Sequence, residues 1–160
     1  MRSLLVATGL TLATSVAPAQ VSQRTGEPHA IIALPGKIAW APGPPSLPQG
    51  AELAVVEGDP AKAGAFTMRL RMPDGYRIPA HFHPVVEHVT VLQGTFLVGM
   101  GETFDATTLS ELPADTFAAL APGVRHFAQA RGQTVIQLHG VGPWSLTYVN
   151  PADDPRNKEK

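Results

Sequence analysis

Two histidines one residue apart, and a glutamate four positions on, form the first chemically distinctive feature of this chain: His81-Phe82-His83-Pro84-Val85-Val86-Glu87. Successive side chains of an extended strand alternate in direction, so His81 and His83 project to one face. Glu87 keeps the same parity beyond Pro84, which cannot donate a ladder hydrogen bond and so marks a bend or strand edge. Two imidazoles and a carboxylate converging on a point make most of a site for a divalent metal. A further donor stands in His126, delivered by the turn Ala121-Pro122-Gly123 to the start of the run Phe127-Ala128-Gln129-Ala130. The chain has no cysteine, which excludes thiolate ligands, a disulfide framework and a cysteine nucleophile. Any metal must therefore be held by nitrogen and oxygen.

The elements that position these residues are short. With 160 residues, the chain is long enough for one real core and too short for two ordinary domains. Its 16 prolines and 15 glycines leave no room for an amphipathic helix of three turns, which points to strands and turns in a barrel or sandwich. The expected strands are Glu52 to Glu57, Phe66 to Met72, His88 to Leu92, Thr95 to Met100, Thr116 to Leu120, Phe127 to Ala130, Thr134 to His139 and Trp144 to Val149. Gln93-Gly94 reads as the turn that folds Thr95 to Met100 back as a hairpin partner. Asp105 to Leu112 is the one stretch with room for a helical turn.

Gly75, His81, His83, Glu87 and Gly94 fall on every fixed position of the first motif of the cupin superfamily: Gly, five residues, His-x-His, three or four residues, Glu, six residues, Gly. The second motif is matched at Gly123 and His126. It departs at Asp115, Ala121 and Ala130, which replace a glycine, a proline and an asparagine that shape turns and are not ligands. The chain thus resembles a single-domain cupin between about Leu53 and Val149. The resemblance implies an all-β fold, a single antiparallel barrel of the jelly-roll type, with one divalent metal on His81, His83, Glu87 and His126. Among Mn, Fe, Ni, Cu and Zn the ligand set does not choose, and germin-like cupins use the same set for Mn. Cupin domains also occur in anti-sigma factors, but those regulators carry a separate helical metal-binding domain, for which no room is expected in this chain.

The segments flanking residues 51–150 carry different expectations. Residues 1–19 read as a secretory signal: Arg2 supplies the positive start, Leu4 to Val16 the apolar run and Ala17-Pro18-Ala19 the cleavage site. That run is too short for a membrane span. A periplasmic or secreted protein, exported unfolded for want of a twin arginine, is expected. Residues 20–50 form an arm, with short strands expected at Ile31 to Leu34 and Lys37 to Trp40. The proline-rich stretch Ala41 to Gly50 would cover a sheet edge of the same barrel or of a second subunit. Those edges make a homodimer the expected assembly. Residues 151–160 are charged, broken by proline and expected to fray.

Formal net charge is −1 with no basic cluster, so nucleic acid is not an expected partner. Three neutral imidazoles, one carboxylate and a divalent ion leave a singly positive site with open positions for water, dioxygen or a substrate oxygen. Such a site polarises a carbonyl or stabilises an enolate. No second carboxylate and no Ser-His-Asp set accompanies it, so catalysis would rest on the metal. His139 and Gln137 are candidates for a supporting role at the cavity, His139 as a proton shuttle. The plainer reading makes His139 a strand-end histidine beside Gly140 to Trp144. Two functions stay open: a metal-dependent enzyme with oxygenase- or isomerase-like chemistry on a small oxygen-rich molecule, or a cupin that binds or senses such a molecule without turnover.

Overall fold

The computed structural model describes residues 30–158, so the signal-peptide reading of residues 1–19 lies outside the described residues. The described chain is all-β, with nine strands in one curled antiparallel sheet: β1 (Ala41–Pro42), β2 (Glu52–Glu57), β3 (Gly64–Met72), β4 (Arg77–Phe82), β5 (Glu87–Met100), β6 (Ser110–Pro113), β7 (Phe117–Leu120), β8 (His126–Gly142) and β9 (Thr147–Tyr148). Helical residues are limited to single 3-10 turns, one of them Ala106–Thr108 inside the stretch where a helical turn was expected.

Two long strands pass through both leaves of the curled sheet. The second half of β8 lies between β3 and the first half of β5, with Leu138 opposite Met68 on one side and Val89 on the other. The first half of β8 lies between β4 and the second half of β5, with His126 opposite both His81 and Met100. β7 extends the first leaf from Glu87 to Thr90, and β6 extends the second from Thr95 to Val98.

This arrangement corrects the hairpin expected at Gln93-Gly94. β5 runs unbroken from Glu87 to Met100, and the pairing with β8 shifts register around Gln93 instead of turning back. Gly94 takes φ +74°, and a Cβ there would lie 2.5 Å from the Gln133 carbonyl oxygen and 2.9 Å from Thr134 Cα. A left-handed glycine serves a bulge as well as it serves a hairpin turn, and the bulge bends the strand from one leaf to the other. The same holds for the runs Phe127 to Ala130 and Thr134 to His139, which are parts of the one strand β8.

The strands expected at Ile31 to Leu34 and Lys37 to Trp40 do not form. Pro35–Lys37 is a 3-10 turn, and Ile31, Ile32 and Leu34 stay 52, 80 and 56 % exposed. β-branched composition alone cannot make a strand where no neighbour supplies the ladder. The arm instead pairs only Ala41 and Pro42, against Leu53 and Glu52, which covers the outer edge of β2 within the same chain. At the other end, Pro151–Asp153 and Pro155–Asn157 form two 3-10 turns capped by Asn150 and Asp154.

Between the leaves lies the core. Phe66, Met68, Leu70 and Met72 point inward from β3, as their alternation predicts, and Ile136, Leu138, Val89 and Val91 meet them. Fully burying side chains of this size stabilises by roughly 1.5–3 kcal/mol each. The buried polar residues are His81, His83, Glu87, His126 and Thr134. Four of those five are the residues the sequence nominated for a metal.

Candidate metal centre

Each histidine of the centre is held by its backbone surroundings. His81 is the penultimate residue of β4, and its Cα pairs with that of His126 at the start of β8. His83 follows β4 directly. The Pro122-Gly123 turn, with Gly123 at φ +77°, donates its N–H to the His83 carbonyl at 2.9 Å, which ties the two motifs together. Glu87 opens β5 with its side chain inward, while its neighbour His88 is turned outward, as strand alternation requires.

The three rings share one pattern of anchoring. Nδ1 of His81 lies 2.7 Å from the Pro79 carbonyl oxygen, Nδ1 of His126 3.1 Å from that of Val124, and Nδ1 of His83 2.8 Å from that of Ser145. A carbonyl only accepts, so each Nδ1 carries a proton, and in the neutral imidazole Nε2 is then the nitrogen free to ligate. Ligand atoms of all three histidines lie within 4.8 Å of one another. Glu87 Oε2 stands 3.4 Å from His83 Nε2 and 3.3 Å from His126 Nε2.

That geometry sets acceptors against acceptors. His83 Nε2 is buried and without a hydrogen-bond partner. Two lone pairs facing a carboxylate oxygen in a buried site are unfavourable unless a cation stands among them. Burial, together with the neighbouring His126 and His83 rings, pushes the His81 pKa down to about 3, so that imidazole is neutral and able to ligate. Burial works to raise the Glu87 carboxyl, but where the His126 and His83 rings carry a proton on Nε2, their hydrogen bonds and charge outweigh it and hold the group well below the usual carboxylate range. Three imidazoles and a carboxylate are a donor set that suits a divalent transition metal, and the orphaned Nε2 fits one.

A cavity of about 580 Å³ opens beside the centre, with His81, His83, Glu87 and His126 on its wall. Its size lies in the ordinary range for small-molecule pockets. Inward residues of β8 on this wall are Ile136 and Leu138. Gln137 and His139 point to the other side of the sheet and do not line the cavity, which corrects the supporting role considered for them. Gln137 accepts a 3.1 Å hydrogen bond from Arg69 Nε on the outer face. His139 stacks on His88, with ring centroids 4.9 Å apart and planes 11° apart.

One contributor was not foreseen. Trp144, from the sequence the first residue of an expected strand, stacks on His83 with centroids 4.4 Å apart and planes 19° apart. The next residue, Ser145, supplies the carbonyl that anchors His83 Nδ1. The segment after Gly142-Pro143 thus holds one ligand from two sides. Its only sequence signal is the small, turn-rich run Gly140 to Pro143, which says nothing about which residue Trp144 will cover.

Comparison with known proteins agrees with this geometry. The ChrR cupin-like domain matches residues 28–143. Among solved structures, a candidate acetylacetone dioxygenase from Methylibium petroleiphilum PM1 superposes with a TM-score of 0.61 at 18% identity, covering 81% of this chain and 88% of that one. An RmlC-like cupin from Shewanella frigidimarina gives 0.55 at 13% identity, covering 72% and 94%. A salicylate 1,2-dioxygenase from Pseudoaminobacter salicylatoxidans, solved with gentisate, gives 0.50 at 13% identity, covering 61% of this chain and 29% of that one. At these identities the likeness is one of fold. No curated protein matches. No helix among the described residues is long and apolar enough to cross a membrane. A family match over most of the chain, a curled antiparallel sheet and a buried three-histidine cluster inside it agree, and the chain belongs to the ChrR cupin-like family of the cupin superfamily.

Proposed function

We propose that this chain is a metal-dependent oxidoreductase of dioxygenase-like chemistry, with one divalent ion held by His81, His83, Glu87 and His126. The observation that carries the reading is the unpartnered Nε2 of buried His83, set with its neighbours around Glu87 on the wall of a substrate-sized cavity. Dioxygenases among the fold relatives turn it toward oxygen chemistry. The bound ion, drawn from Mn, Fe, Ni, Cu and Zn, would supply Lewis acidity and open positions for oxygen donors.

The chain's own residues do the rest. Glu87, ionised and buried, would neutralise part of the ion's charge and help hold it. The Pro79, Val124 and Ser145 carbonyls anchor each Nδ1, which leaves Nε2 as the nitrogen that would ligate. The apolar walls would limit the water around a bound substrate. Metal analysis of the purified protein, followed by oxygen-electrode assays with phenols, diketones and 2-oxo acids, tests the reading. Uptake that requires the metal supports it, and absence of any transition metal in protein purified without chelator sinks it.

A second reading has its own observation. Apart from Glu87, no acidic side chain among the described residues lines the cavity, so none of them stands ready as a separate general base. A cupin that captures a small molecule without turnover would need none. Tight metabolite binding with no metal-dependent turnover would select it. Export and assembly belong to the proposal as well: the amino-terminal run ending at Ala19 supports export to the periplasm or outside the cell, and a homodimer is the assembly to test by light scattering.

A further inference from the structure

The cavity walls separate sharply by depth. Met68, Leu70, Val89, Val98, Ile136 and Leu138 line its interior, and none of them carries a hydrogen-bonding group. The hydroxyls on the lining, Ser46, Thr108, Ser110 and Ser145, belong to residues that are half-buried or exposed, so they sit toward the mouth. The one cationic side chain on the wall beyond the histidines is Arg156. It is 48% exposed and already held by Asp154, through Nε at 2.8 Å and Nη2 at 2.6 Å. The strong polar chemistry of the chamber is therefore gathered at His81, His83, Glu87 and His126, with the buried and unpartnered indole Nε1 of Trp144, whose ring stacks on His83, beside them.

We infer that the ligand of this cavity is a drug-sized molecule with an apolar body behind a single oxygen-bearing head, not a sugar or another polyhydroxylated compound. The oxygen-bearing head rests on the metal centre proposed above, while the apolar body rests on the walls alone. A cavity of about 580 Å³ is larger than a metabolite of a few carbons needs. Each methylene moved from water onto those walls strengthens binding about fourfold. Each hydroxyl buried there without a partner weakens it about tenfold. A polyol tail would meet several such losses in the interior, and neither a free cation nor a ring of donors is present to offset them.

The test varies head and tail separately on the metal-loaded, full-length protein, with Kd measured by calorimetry. One series runs through straight-chain hydroxamates from acetohydroxamate to decanohydroxamate, which share one chelating head. Gluconohydroxamate supplies the same head on a polyol tail, and primary alcohols of matched length supply tails without the chelator. Affinity is expected to rise about three- to fourfold per methylene, with gluconohydroxamate no tighter than acetohydroxamate. A flat length dependence, or tightest binding by gluconohydroxamate, overturns the inference. If hydroxamates bind no better than alcohols of equal length, the metal-centre reading fails while a rising tail series still upholds the apolar chamber. Leu112→Trp adds bulk at a half-buried position of the wall and should end the gain at a shorter tail. A series in that variant identical to the wild type would locate the tail elsewhere and refute the inference.

Discussion

Two groups of histidines lie on opposite faces of the sheet, and their rings are held in different ways. On the inside, His81 and His83 come from the end of β4 and His126 from the start of β8, with ring planes at 48 to 76° to one another and each Nδ1 turned back to a backbone carbonyl. Their Nε2 atoms converge beside a carboxylate. On the outside, His88 and His139 face each other across β5 and β8 with planes only 11° apart, and Phe117, 58% exposed, stacks on His88 at 5.9 Å. The outer distances are no longer than the inner ones: 4.9 Å between centroids, against 4.2 to 5.4 Å. Proximity therefore does not make a ligand set. Crossed planes point lone pairs at one place, whereas parallel planes stack faces.

The contrast breaks most visibly at adjacent residues. Glu87→Gln keeps size and removes the single anionic donor, so metal affinity is expected to fall by more than the roughly 10- to 100-fold that follows loss of an outer-shell partner. His88→Gln, one residue along, should leave metal content at the wild-type level. Elemental analysis after challenge with a chelator reads both. The opposite ranking would mean that the register of β5 is wrong.

Acid should find the inner cluster next. In chelator-treated protein His81 is neutral when folded, its pKa pushed down by burial to about 3 from the ordinary 6.5. Its folded pKa is lowered, so between those values the unfolded state binds the extra proton and stability falls as pH falls. The slope is about 1.4 kcal/mol per pH unit, beginning just below pH 6.5 and ending near pH 3. Glu87, whose folded pKa is also lowered, adds loss in the same direction at the acid end of that window. Urea midpoints at a series of pH values measure this, and a flat profile from neutral to pH 5 would contradict the neutral buried imidazole.

Trp144 sharpens the comparison at a smaller scale. Trp144→Leu removes the stack on His83 but keeps the Ser145 carbonyl, and metal affinity is expected to drop about tenfold, as for loss of an outer-shell contact. Metal titration should also quench Trp144 fluorescence in the wild type, a signal absent from the variant even though Trp40 remains. The smallest effect belongs to the outer pair. His139→Gln loses one aromatic stack, about 0.5–1.5 kcal/mol of stability, with no change in bound metal. A drop in metal content there would return His139 to the centre.

Much of the centre could be read from residue type and parity, because both are local. His81 and His83 share a face in any strand, Glu87 and His88 cannot, and a Pro-Gly turn announces a change of direction before His126. Strand content was legible for the same reason: the alternation Phe66, Met68, Leu70, Met72 is imposed by a half-buried sheet whatever its neighbours are. Pairing is not local, and the misreadings follow from that. Gly94 has the same left-handed backbone in a hairpin as in a bulge, and only the ladder to β8 shows that β5 continues. The Ile31 to Trp40 segment has strand-forming residues but no edge to join. Which face of Thr134 to His139 is buried depends on Met68 and Val89 lying opposite Leu138, so only the assembled sheet turns His139 outward. The Trp144 stack, the Ser145 carbonyl and the cavity itself are contacts between segments far apart in the chain, and chain closure alone creates them.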